Sequence, residues 1–141
     1  MIKLGRIWDE IPGYGKWLIV RSLKNQVKGA LHVPVLSPST HLFRAYLSAK
    51  AAGRFSEKWF QNTYVPWFLK DMIHSQEAVA LLDQLYRDSF SKNILLCCFC
   101  SGEGLCHRSI VGGMLKGAGA KVECDDSYVR YWQLFQEACR K

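Results

Sequence analysis

Cys106, His107 and Arg108 stand in a row and combine a nucleophile, a proton carrier and a fixed cation. A thiol does covalent chemistry as its thiolate, and a nearby imidazole can take up or return the proton. A guanidinium forks onto a phosphate or a carboxylate. The residues before them decide how the three are presented. Ile94 to Cys100 is an apolar run of strand length, and Ser101 to Leu105 holds two glycines and reads as a loop. From His107 onward, Ile110, Val111, Met114 and Leu115 recur at helical spacing. Strand, loop and helix in that order put Cys106 to Ser109 at a helix start, where the first amides lack internal partners and the dipole favours an anion. That position suits both a thiolate at Cys106 and a ligand anion held by Arg108 and Ser109. Neighbouring side chains at a helix start diverge, so His107 need not touch the Cys106 sulfur, and inert burial of the thiol is the competing reading.

The same stretch carries a family resemblance. Cys98-Phe99-Cys100, then five residues, then Cys106-His107-Arg108 resembles the domain of unknown function 488 family. Its members, phage-encoded ones among them, close a buried strand with Cys-x-Cys or Cys-x-Glu and follow it with Cys-His-Arg. Leu36-Ser37-Pro38-Ser39 is similar to that family's Leu-x-Pro-Ser helix entry. Gly53-Arg54-Phe55-Ser56 with Phe60 and Tyr64 is similar to its middle helical segment, and the resemblance spans roughly residues 16–122. It implies an α/β fold in a phage or bacterial protein and brings no reaction with it.

Two further strand ends carry polar groups: Arg21-Ser22, and Ser37-Pro38-Ser39. In an open parallel sheet, ligands bind outside the carboxyl ends of the strands. If these strands are parallel, Arg21, Ser37, Ser39, Cys100 and the Cys106–Ser109 start converge on one edge as an anion pocket. The alternative for each serine is an ordinary cap or turn. Tyr64 enters through the family resemblance, its hydroxyl facing the pocket, although the spacing of Phe60, Thr63 and Trp67 speaks for core packing. A cysteine-phosphatase loop is excluded, because seven residues separate Cys100 from Arg108 where that loop has five. Cys98, Cys100, Cys106 and His107 are also considered as metal ligands. The gap between them lacks structural zinc spacing, and no metal is assigned. No cofactor is specified. Cys97, Cys124 and Cys139 read as packing residues.

The remaining pattern gives the frame. Trp17 to Val20 and Ala30 to Leu36 read as strands, with Pro34 implying an edge position or an irregular backbone in the second. Lys3 to Trp8 reads as a short edge strand. Three helices follow: Ser37-Pro38-Ser39-Thr40 offers capping hydroxyls for the first, Ser56 and Ser75 cap the next two, and Pro66 kinks or restarts the aromatic middle one. A last strand at Lys121 to Cys124 and a helix turning Val129, Trp132, Leu134 and Phe135 at least partly inward close the chain. The reading is one α/β domain over residues 1–141. It has a mostly parallel sheet flanked by helices, with a helical insertion between the second and central strands.

The net charge is +7, and all of it lies in residues 1–54, which hold nine Lys/Arg and two Asp/Glu. Lys24, Lys28, Arg44, Lys50 and Arg54 are the expected exposed members. This asymmetry points to an anionic partner. No apolar stretch approaches the roughly 20 residues of a membrane span, and the N-terminus lacks a signal-peptide block. A cytoplasmic protein with reduced thiols is expected. Two classes of function follow. One is a pocket for a nucleotide-like or phosphate-bearing ligand, with or without catalysis by Cys106 and His107. The other is nucleic-acid binding, or interference with a host process, through the basic N-terminal region.

Overall fold

The apolar run before the Cys-His-Arg triplet becomes the middle strand of a sheet, because a segment apolar on both sides needs cover on both faces. The computed structural model describes residues 1–100 and 102–141; Ser101, part of the expected loop, lies outside the described residues. The strands are β1 (Ile2–Arg6), β2 (Gly15–Leu18), β3 (Ala30–His32), β4 (Ile94–Cys98) and β5 (Val122–Glu123). All pairings are parallel, in the order β3-β2-β4-β1-β5. Every residue of β4 is buried.

The expected α/β class is therefore observed, with a sheet that is wholly parallel. The N-terminal strand is a correction. It is not an edge, since β1 lies between β4 and β5 with Leu4 opposite Leu96. Its Lys3 and Arg6 hid it: their charged ends reach Glu123 and Asp9 while Ile2 is buried beneath. β3 is an edge strand as Pro34 implied, but it stops at His32, and Pro34 opens a 3₁₀ turn to Leu36.

Between β3 and β4 run α1 (Thr40–Ala51), α2 (Glu57–Trp59), a π turn (Phe60–Tyr64), α3 (Val65–Ile73) and α4 (Gln76–Asp88). Ser39, Ser56 and Ser75 each accept an amide of the helix that they open. Pro66 has no N–H to continue the ladder. Ahead of it the chain widens, with Val65 N–H donating to Phe60 O, and restarts as α3. The π turn ends on Tyr64.

After β4 come α5 (His107–Gly117), β5 and α6 (Arg130–Cys139). The sequence showed one apolar stripe on α5, yet His107 to Leu115 are all buried. The helix is enclosed by β1, α3, α4, α6 and the Asp126–Val129 turn. Its glycines make this approach possible: a Cβ on Gly113 would sit 2.0 Å from Tyr128 O. On α6 the expected inward face is corrected. Trp132 and Phe135 are half-buried as expected, but Val129 and Leu134 are exposed, and the residue that α6 buries fully is Tyr131.

The chain leaves β2 for β3 on one side and leaves β4 for α5 and β5 on the other. The strand order thus reverses between β2 and β4, which is where open parallel sheets form their crevice.

Candidate functional site: a thiol cluster in the crevice between β2 and β4

A cleft of about 360 Å³ opens at this point. Val20, Arg21 and Ser22 continue from β2, and Cys98, Phe99 and Cys100 end β4. Cys106 and His107 form the floor at the start of α5, and Phe43, Tyr46 and Tyr64 form an aromatic wall. Tyr46 and Tyr64 meet edge to face at 6.2 Å, and Tyr64 stacks on Phe68. Phe68 in turn packs against the His107 ring at 5.9 Å.

Cys106 is the N-cap of α5, and its extended backbone turns the thiol back toward the strand end. The sulfurs of Cys98, Cys100 and Cys106 all lie within 4.8 Å of one another, and Cys98 Sγ is 3.0 Å from Cys106 Sγ. His107 does reach its neighbour, with Nδ1 3.5 Å from Cys106 Sγ. Its Nε2 lies 2.6 Å from the carbonyl of Ile19. A carbonyl only accepts, so Nε2 carries the proton and donates it. Burial lowers the His107 pKa and keeps the ring neutral, against a smaller opposing pull from that same carbonyl. A neutral ring protonated at Nε2 presents a lone pair at Nδ1. His107 is thereby set as a proton acceptor toward Cys106.

The thiols differ by environment. Burial pushes Cys97, on the same strand, up to about 11. Burial also opposes ionisation of Cys106, but it is outweighed. Hydrogen bonds from Cys100 and Cys98, the Arg108 amide and the Arg108 charge hold that thiol well below its usual range. Cys98 moves the other way, since its hydrogen bonds to Cys100 and Cys106 favour the protonated form. Of the two, Cys98 is the thiol that keeps its proton, and Cys106 is the one that gives its proton up more readily, with the Nδ1 lone pair of His107 beside it to take it.

Arg108 does not face the cleft. It is 2% exposed and donates to the carbonyls of Gly5, at the end of β1, and Cys100, after β4. Its Nε has no hydrogen-bond partner, and among the described residues no carboxylate forms an ion pair with it. A buried cation favours an anion nearby, and the Arg108 charge is among the influences that lower the Cys106 pKa. Ser109 is also turned inward, its hydroxyl donating to Cys106 O at 2.8 Å.

The expected convergence is therefore divided. Arg21, Tyr64, Cys100, Cys106 and His107 share the cleft. Ser37 and Ser39 lie beyond Arg21 in a separate polar recess with Asp71 and Ser75. There Ser37 donates to Pro34 O and Ser39 caps α1. Arg21 bridges the two, donating to Pro38 O and Thr40 Oγ1 with its guanidinium over the Phe43 ring. Sequence reasoning did not place Tyr46 at the site, because its helical spacing is that of a core residue, and it did not single out Phe43. The Ile19 carbonyl carries no residue-type signal at all. Cys98 was visible, since Cys98 and Cys100 share a strand face.

Fold and site define an all-parallel α/β protein with a cysteine–histidine pair at the sheet's crevice. The chain belongs to the domain of unknown function 488 family: the family model DUF488-N3a, described as the active DUF488-N3 subclade, matches residues 15–119. No curated protein and no solved structure matches the chain. Among the described residues, no helix is long and apolar enough to cross a membrane.

Proposed function

We propose that the cleft is the active site of a thiol-dependent enzyme, with Cys106 as nucleophile and His107 as proton acceptor. Its substrate on this reading is nucleotide-like, a flat ring carrying an anionic group. The observation that carries the reading is the Cys106–His107 contact, with the imidazole fixed by Ile19 so that its lone pair faces the sulfur. A nucleophile, a base and a third group orienting the base make up a covalent catalyst. The aromatic wall offers ring faces to a base, and the half-exposed guanidinium of Arg21 supplies the cation at the rim. Arg108 has a different part, that of countercharge to the thiolate. The description of the matched subclade as active is in keeping with an enzyme.

The test is the rate of iodoacetamide alkylation at each cysteine, followed by peptide mass mapping with and without mononucleotides. Cys106 should react fastest at neutral pH and be shielded by a nucleotide that fills the cleft. A Cys106 that alkylates no faster than Cys97 would end the covalent reading, and a lack of shielding would end the nucleotide assignment.

One observation favours a polynucleotide over a free nucleotide as the occupant. Lys24, Lys28, Arg44, Lys50 and Arg54 are all exposed. Phe99, 53% exposed, lies between the cleft and a shallow groove that contains Lys24. Exposed aromatic faces beside a basic groove are how single strands are held.

A further inference from the structure

The nucleophile reading leaves Cys98 without a task, although it touches the reactive sulfur. We propose that Cys98 is the resolving thiol of Cys106: when a hydroperoxide oxidises Cys106, Cys98 closes a disulfide with it and holds the site in a recoverable, inactive form. The inference rests on the reading of Cys106 as the reactive thiolate, and it adds a modification site to the cleft.

Three observations carry it. The two sulfurs are 3.0 Å apart, so bond formation needs an approach of only about 1 Å, given a disulfide length near 2.04 Å. Both line the cleft, so an oxidant as small as hydrogen peroxide has a path to them. Their surroundings are also asymmetric. Arg108 and the start of α5 favour the anion at Cys106, whereas Cys98 ends the buried strand β4. A pair made of one thiolate and one protonated thiol has the arrangement that the two steps need.

In the first step the Cys106 thiolate attacks one oxygen of the hydroperoxide. The oxygen attacked is the terminal O–H oxygen: the O–O bond breaks, that OH stays on sulfur as a sulfenic acid, and the other oxygen leaves as alkoxide, or as hydroxide from hydrogen peroxide, and takes a proton to become an alcohol or water. In the second step the Cys98 sulfur attacks the Cys106 sulfur and the S–O bond breaks. The hydroxide leaves as water with the proton from Cys98, whose sulfur is 3.0 Å from that of Cys106. The cysteine pair loses two electrons and the peroxide gains them. A small dithiol reverses the change by exchange. Without Cys98, the sulfenic acid would be open to further, irreversible oxidation. Cys100 also lies within 4.8 Å of both sulfurs. It follows the strand end with its carbonyl held by Arg108, whereas Cys98 Sγ already touches Cys106 Sγ at 3.0 Å, so Cys98 is the partner that closes.

The experiment uses the full chain carrying Cys139→Ser, which removes the exposed thiol. The protein is treated with hydrogen peroxide, quenched, and mapped by non-reducing peptide mass spectrometry. A peptide pair joined through Cys98 and Cys106 is expected, with iodoacetamide reactivity of Cys106 lost and then restored by dithiothreitol. In Cys98→Ala, dimedone should trap a sulfenic acid on Cys106, and prolonged peroxide should abolish reactivity beyond rescue by dithiothreitol. The unsubstituted-site map needs no fold-perturbing variant, so poor folding of Cys98→Ala cannot obscure the result. A dimedone-reactive Cys106 that persists with Cys98 in place would overturn the proposal, as would a linkage to Cys100. Zinc released in step with oxidation would also overturn it, because the thiols would then be metal ligands. If Cys106 alkylates fast but never links to Cys98, only this inference falls. If Cys106 is inert to both reagents, the proposed catalytic function falls with it.

Discussion

Two arginines stand at the carboxyl edge of the sheet, and their settings are opposite. Arg21 follows β2, is half-exposed, and lies over Phe43 at the cleft while bonding Pro38 and Thr40. Arg108 enters α5, is buried, and ties Gly5 to Cys100. By residue type and motif, Arg108 has the stronger claim to a ligand. By position it is a clamp that joins the ends of two neighbouring strands, and its charge favours ionisation of Cys106. A guanidinium has five donors, and the fold can use them on its own carbonyls as readily as on a substrate. The lesson is that a motif arginine announces a need for acceptors without saying whose acceptors they are.

Removing each arginine tests that contrast. Arg108→Met should cost about 3 kcal/mol or more, since it leaves two buried carbonyls and a thiolate without their cation. Denaturant unfolding measures the loss. A stable Arg108→Met protein that had lost only ligand affinity would reverse the assignment of the two arginines. Arg21→Gln should cost about 1 kcal/mol or less because its partners reach solvent, while weakening a mononucleotide by about tenfold, or 1.4 kcal/mol. Calorimetry of binding and unfolding separates the two effects.

The pH dependence sharpens the thiolate part of the comparison. Cys106 is held below the usual thiol value of 9.0 in the folded chain. Its contribution to stability is therefore present above the unfolded-state value and is lost as pH falls through the depressed folded value. Cys106 alkylation should stay level through pH 9 and decline only well below it, whereas in Arg108→Met the decline should move up toward the ordinary thiol range. A wild-type profile that rises with an ordinary thiol midpoint would remove the countercharge argument.

The smallest expected effect on stability belongs to the basic surface. Lys24→Gln with Lys28→Gln should change unfolding by no more than about 0.5 kcal/mol. If those lysines neutralise phosphates of a single strand, the pair should flatten the salt dependence of binding by roughly 1.4 in log–log slope. It should do so for all sequences alike, because phosphate contacts carry no base information. Arg108→Met should leave that slope unchanged. Absence of oligonucleotide binding at about 50 mM salt would leave the free nucleotide as the cleft's occupant.

Much of the frame was legible in the chain because it depends on local patterns. The three serine caps, the apolar run of β4, the glycine loop and the helix opening at Cys106 each follow from a few adjacent residues. So do the edge position implied by Pro34 and the restart at Pro66. The strand β1 was harder to see, since a five-residue strand with two charges and a glycine has little local signal and is fixed only by pairing with β4 and β5.

The site divides along the same line. The sequence by itself determined that a cysteine, a histidine and an arginine open a helix after a buried strand, because strand and helix periodicities are local. Only the tertiary structure decided which way each one faces. The crevice exists because β2 and β4 pair directly although some seventy-five residues separate them. That pairing brings the Ile19 carbonyl to His107, the end of β4 to Cys106, and Phe43 and Tyr46 to the rim. It is also what places Gly5 and Cys100 where Arg108 must bind them, since a buried guanidinium takes the acceptors that the packed strands supply.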